Sequence, residues 1–298
     1  MTRRGAVPRH RVPVACFPPA SVWQIGQVDT FPAPARTLLI GYGKLAQGLA
    51  PRLLADGGAV VAVRRSDGAL PEGVVGIRAD LTEPLDQPLP VVDAMVVTLP
   101  PGDPGYRVVL GHVADALPAT PSRTIFVSST GVFEAGPFDR TITEADEPAP
   151  TSDRARGLRD GELAARELFD AVIVRPAGIY GPGREFLLRQ VRERAVVNHR
   201  RRTNRIHETD LVRALDVLLR MPEPPALVHG VDATPAPLGE VVAFIARELG
   251  LDAPPHDPTA AQSGTVLDGA LLRSVLGELQ YPSYTDGYAE MIRGSRPA

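Results

Sequence analysis

The chain has 298 residues, 44% hydrophobic and 22% charged, with a formal net charge of −3. That is enough chain to bury a large core, and the near-neutral balance supplies no global basic field for nucleic acid or a membrane surface. The single cysteine, Cys16, excludes an internal disulfide framework and leads us to expect a reducing, cytoplasmic setting.

Residues 1–35 contain Pro8, Pro13, Pro18, Pro19, Pro32 and Pro34 and a basic start at Arg3, Arg4, Arg9 and Arg11. This composition predicts a disordered extension, with a targeting or partner-binding arm as the alternative. No apolar run reaches the roughly 20 residues that a bilayer crossing requires.

The apolar run 38–40 predicts a buried strand. It breaks at Gly41 and Gly43 and gives way to a helical pattern through Leu45, Leu49 and Leu53. Gly41-x-Gly43-x-x-Ala46 therefore occupies the strand-to-helix position of a dinucleotide-binding fingerprint. Gly41 would permit the tight turn, Gly43 the approach of a pyrophosphate, and Ala46 close helix packing. The amides that open this helix, at Lys44 and Leu45, then favour the phosphates.

Strands follow at 59–63, 74–77, 93–98, 124–128 and 171–174, with helices at 106–117 and 158–169. This alternation predicts a doubly wound parallel α/β sheet of Rossmann type over residues 36–178, with ligands beyond the carboxyl ends of the strands. From about residue 178 the alternation loosens. Helices are expected at 185–194, 209–220, 238–249 and 267–276, and a strand at 226–229. Residues 179–298 read as a small substrate-binding lobe that also returns elements to the main sheet.

The end of the second strand reads Val63-Arg64-Arg65-Ser66, with no carboxylate before Asp67. Two guanidiniums and a hydroxyl suit a 2′-phosphate, which favours NADP, with NAD as the alternative. Thr98, Leu99 and Pro100 follow the fourth strand and are expected to line the cofactor. The six histidines are scattered without ligand spacing, so no metal site is expected. No specific nucleic-acid binding is expected from the Arg200–Arg202 run, which lacks interleaved aromatics.

Several spaced motifs carry a resemblance. Val127-Ser128-Ser129-Thr130-Gly131-Val132-Phe133, Arg175-Pro176-Ala177-Gly178-Ile179-Tyr180-Gly181-Pro182-Gly183 and Arg205-Ile206-His207-Glu208-Thr209-Asp210-Leu211 resemble segments of the extended short-chain dehydrogenases and nucleotide-sugar epimerases. Tyr281-Pro282-Ser283-Tyr284 is similar to the tail of an atypical bacterial epimerase/dehydratase subgroup. The resemblance covers residues 37–292. It implies an oxidoreductase or epimerase/dehydratase acting on a small, anionic metabolite such as a nucleotide sugar, and dimerisation through a two-helix face. It matches Ser129 to the family's catalytic serine, Ser128 to a cofactor-side hydroxyl and Asp80 to an adenine-contacting acid.

The departure is equally specific. The family's Tyr-x-x-x-Lys pair cannot exist, because the only lysine is Lys44. Counting from Ser129 without gaps puts Arg154 at the Tyr position and Leu158 at the Lys position. Tyr180 is the candidate to replace the missing acid–base group, and Thr130, Arg154 and Arg205 the candidates to hold substrate. A non-catalytic NADP(H)-binding sensor or scaffold is the competing reading.

Overall fold

The computed structural model describes residues 31–294, so the extension predicted over 1–35 lies, up to residue 30, outside the described residues, as does Cys16. In chain order the elements open with β1 (Arg36–Ile40), α1 (Lys44–Ala55), β2 (Ala59–Arg64), β3 (Val74–Arg78), β4 (Ala94–Val97), α2 (Tyr106–Ala116) and β5 (Arg123–Val127). The middle comprises β6 (Thr141–Ile142), α3 (Asp153–Phe169), β7 (Val172–Pro176), β8 (Gly178–Tyr180), α4 (Phe186–Arg192), β9 (Arg202–Thr203) and β10 (Arg205–His207). The chain finishes with α5 (Glu208–Arg220), β11 (Leu227–Gly230), β12 (Ala236–Pro237), α6 (Leu238–Leu249), β13 (Val266–Leu267), α7 (Ala270–Leu276) and α8 (Tyr284–Gly294).

Seven strands form one parallel sheet in the order β11-β7-β5-β4-β1-β2-β3. The inner strands are near-continuous apolar runs because both faces are covered, whereas the edge strand β3 is largely exposed. Alternate residues go to opposite sides. Leu39, Val60, Val96, Ile125 and Val174 pack with residues of α1, α5 and α7, whereas Leu38, Val61, Met95, Phe126 and Ile173 pack with residues of α2 and α3. The predicted Rossmann-type fold is the observed one. Among the described residues, no helix is long and apolar enough to cross a membrane.

A third apolar cluster sits beyond the carboxyl end of the sheet, where Tyr180, Leu188, Val241, Ile245, Tyr288 and Ile292 meet. It draws on α4, α6 and α8. The short pairs β8–β10, β9–β12 and β6–β13 tie this lobe to the loops leaving the sheet. Asp210, fully buried in α5, accepts bonds from the amides of Gln280 and Tyr281, both 2.8 Å, and so anchors the chain entering α8.

Candidate functional site: a cleft and a cavity at the carboxyl ends of the strands

The turn between β1 and α1 is built by its glycines. Gly41 has φ +86°, and a Cβ there would stand 3.1 Å from the Leu99 side chain, so the position excludes larger residues twice over. Thr98 braces the turn by donating its hydroxyl to the Gly41 carbonyl at 3.0 Å. Gly43 is the extended residue before α1, and a Cβ there would meet nothing within 4 Å. That open side is a cradle. α1 has neither a side-chain cap nor an acidic residue in its first turn, and the same holds for α2, which starts after Gly105. In contrast, α3 is capped by Ser152 and α5 by His207. Two uncapped helix starts at one cleft leave amide donors and positive dipole ends for an anion.

The cleft has a volume of about 600 Å³ and brings together Gly41, Gly43, Arg64, Arg65, Ser66, Asp80, Thr98, Leu99 and Pro100 among its lining. The geometry fits a dinucleotide: a cradle for phosphates at Gly43, and guanidiniums beyond the end of β2. Arg64 donates to the Gly68 carbonyl, and Asp67 is paired with Arg78 at 2.9 Å. Asp80 accepts from the Thr82 amide and hydroxyl, which hold its carboxyl below the usual range, and Arg65 adds to that effect. Leu45 contributes only backbone, its side chain being packed in the core. Lys44 does not line the cleft; its ammonium reaches the Gly183 carbonyl at 2.5 Å and the Pro182 carbonyl at 3.5 Å.

Two cleft residues escaped the sequence reading. Tyr42 lies between the glycines, and its hydroxyl is buried without a partner. Tyr106 opens α2, donates to the Leu99 carbonyl at 2.8 Å and sets its ring edge-on to Phe126 at 5.0 Å. A Cβ at Gly161 would collide with the Tyr106 ring, so α3 is shaped around this residue. No motif spacing flags either tyrosine, and the loop position of Tyr42 was the one available signal.

The corner after β5 differs from its expectation. Ser128, expected on the cofactor side, is not among the residues lining the cleft. Its hydroxyl donates to Glu162 at 2.7 Å. Arg175 closes on the same carboxylate with two bonds of 2.8 and 2.7 Å, and Arg159 adds a third at 3.0 Å. Burial pushes the Glu162 carboxyl up, yet these bonds more than offset it, and the group is held below its usual range. The Ser129 hydroxyl accepts from the Gly131 amide at 3.1 Å and caps the 3-10 turn Thr130–Phe133. Leu158, at the family's Lys position, is 3% exposed and packs against that turn, 3.5 Å from where a Gly131 Cβ would stand. Arg154 is exposed near Tyr106, whose phenol it draws down against the stronger effect of burial, and it lines neither cavity.

Tyr180 is likewise committed. Its hydroxyl donates to the Ser283 carbonyl at 3.2 Å, its ring stacks on Tyr288 at 4.7 Å and meets His207 edge-on at 5.1 Å. Burial pushes the phenol far above its ordinary range, so it is held protonated at neutral pH. Tyr180 thus packs under the lobe, with part of its surface on the cavity that the lobe walls. His207 accepts from the Thr209 amide at the start of α5 and stacks on Tyr281 at 3.7 Å.

A second cavity of about 690 Å³ lies between the Thr130–Phe133 turn and the lobe. Thr130 lines it, as do Arg184, Arg201, Arg202 and Arg205, against a single carboxylate, Glu134, whose Oε1 is taken up by Thr151 and Ser152. Arg205 is 3% exposed, bonded to Thr203 through Nη2, and its Nη1 has no partner. Its guanidinium lies 5.2 Å from the centre of the Tyr284 ring. A buried guanidinium with a free donor, among three others, is chemistry for an anion.

No family model and no curated protein matches the chain. Solved structures do. A Methylobacillus flagellatus protein assigned as an NAD-dependent epimerase/dehydratase is 26% identical, with a TM-score of 0.75, covering 88% of this chain and 99% of its own. The human epimerase family protein SDR39U1, solved with NADPH, is 19% identical, with a TM-score of 0.70 and coverage of 87% and 99%. MoeE5, solved with UDP-glucuronic acid and NAD, is 20% identical, with a TM-score of 0.69 and coverage of 87% and 98%. The structural neighbours are thus members of the NAD-dependent epimerase/dehydratase family, in line with the resemblance carried by the sequence motifs.

Proposed function

We propose that this chain is a nicotinamide-dependent enzyme of the oxidoreductase or epimerase/dehydratase type. It holds NADP(H) in the cleft bounded by Gly41, Arg65 and Tyr106, and a small anionic metabolite, a nucleotide sugar being the leading class, in the arginine-lined cavity. The observation that carries this reading is the pairing of two differently built cavities at one end of the sheet. One presents two uncapped helix starts, the other four arginines against one carboxylate.

The cofactor, when bound, supplies or takes the hydride. The chain's part is binding and orientation. Gly41 and Gly43 admit the phosphates, and the first-turn amides of α1 hold them. Arg65 and Ser66 meet the 2′-phosphate, with Asp67 occupied by Arg78 and so kept from opposing it. Arg205 and Arg201 orient the substrate anion. Thr130 and Thr265, which line the second cavity, offer hydroxyls to the substrate.

The second reading is a non-catalytic NADP(H) sensor, favoured by the committed hydroxyls of Ser128 and Ser129 and by Leu158. Calorimetric titration with NADP, NADPH, NAD and NADH tests what both readings share, and selective NADP(H) binding is expected. Turnover of NADPH against a panel of nucleotide sugars and small carbonyl anions then separates them. Binding without any turnover would leave the sensor, and no binding to any of the four nucleotides would sink both.

A further inference from the structure

Lys44 is the only lysine in the chain and stands where a cation is least at home, at the first residue of α1, beside the positive end of the helix dipole. No acidic side chain in that turn compensates it, and its ammonium donates to two neutral carbonyls, those of Gly183 and Pro182. Gly183 is shaped for this contact. It has φ +71°, and a Cβ there would collide with the ammonium. The turn that Lys44 grips leads directly to Arg184, whose guanidinium pairs with Glu208 at the start of α5 and lines the second cavity. One flexible side chain thus spans from the phosphate cradle to a wall of the other cavity.

We propose that Lys44 is a latch that couples the two cavities. In the free protein it clasps the turn 181–183, and the phosphates of a bound dinucleotide draw it off. The inference rests on the dinucleotide reading of the cleft. The Lys44 amide is itself one of the donors that open α1, so phosphates held there lie within reach of its own side chain. A charge-assisted bond to phosphate oxygen is stronger than one to a neutral carbonyl, and the anion also relieves the cation's conflict with the helix dipole. Release of the turn frees Arg184 to adjust to substrate. Cofactor therefore binds first and resets the second cavity.

The test uses the full chain with and without NADPH. Because Lys44 is the sole lysine, acetylation by an amine-reactive ester is read at one peptide, apart from the amino terminus. Hydrogen exchange of residues 181–186 reads the turn. NADPH is expected to slow acetylation of Lys44 roughly fivefold and to speed exchange in the turn by a similar factor. Lys44→Met should show the fast exchange with or without NADPH, and Lys44→Arg, which keeps the cation, should restore the slow exchange of the free chain. NADPH binding by calorimetry with both readouts unmoved would overturn the latch and leave the dinucleotide reading intact. Exchange in Lys44→Met equal to that of the parent chain would show that the clasp holds nothing. Absence of NADPH binding would remove the latch together with the reading beneath it.

Discussion

In the cleft between β1 and β4 the polar groups stand open. Gly43 has no neighbour on its free side, two helices begin without side-chain caps, and the Tyr42 hydroxyl has no partner. Beyond the ends of β5 and β8, three hydroxyls are engaged inside the fold: Ser128 donates to Glu162, Ser129 accepts from the Gly131 amide, and Tyr180 donates to the Ser283 carbonyl. Unsatisfied donors cost a fold stability unless a ligand satisfies them, whereas satisfied ones hold it rigid. The contrast sets an open cleft, with polar groups left for a ligand, against a corner whose serine hydroxyls are held inside the fold.

The strongest way to break that contrast is to loosen that corner. Glu162 and Arg175 are both essentially unexposed, so Glu162→Ala strands a buried guanidinium and should cost about 3–5 kcal/mol in a denaturant titration. NADPH affinity of the folded fraction should be unchanged; a loss would show that corner and cleft are one unit.

A pH series tests the buried groups nearby. Burial lowers the pKa of His229 to about 4 and raises that of Asp232 to about 6. His229 is favoured neutral in the fold, so it costs stability progressively as pH falls from its unfolded value of 6.5 to about 4. Asp232 is favoured protonated, so it returns stability as pH falls from about 6 to 3.8. Each arm is about 3 kcal/mol at most, and in the parent chain they nearly cancel. Asp232→Asn should therefore steepen acid unfolding between pH 6.5 and 4, and His229→Phe should reverse the slope. Melting curves across that range are the check, and a flat Asp232→Asn profile would refute the assignment.

On the cleft side, Gly41→Ala forces a side chain into a positive-φ turn against Leu99 and should weaken NADPH binding about 100-fold, read by calorimetry. Arg65→Ala is the finest probe. NADPH affinity should drop about tenfold while NADH affinity stays put, since only the 2′-phosphate is addressed. Equal losses for the two nucleotides would assign Arg65 to the cleft wall rather than to specificity.

The sheet strands were legible because parallel strands buried on both faces announce themselves as apolar runs, and the cleft because its glycines and arginines lie in short, contiguous stretches. Other features were not. Sheet pairs of two or three residues, such as β6 and β13, have no periodicity to read. α3 begins at Asp153 rather than near Leu158, since its first turn is polar and depends on the Ser152 cap. The commitment of Ser128 depends on Glu162, 34 residues away, and no local pattern says which way a hydroxyl turns. Tyr180 looked available because its loop is rich in glycine, but α8 brings Gly287 and Tyr288 over it.

That late helix carries a consequence for how the molecule is made. Tyr288, which stacks on Tyr180 and walls the second cavity, emerges from the ribosome long after the last strand of the seven-stranded sheet, Leu227–Gly230. All seven strands of the sheet are therefore made while the second cavity still lacks one of its walls. A message truncated before codon 284 would yield a protein with an intact sheet and no completed second cavity.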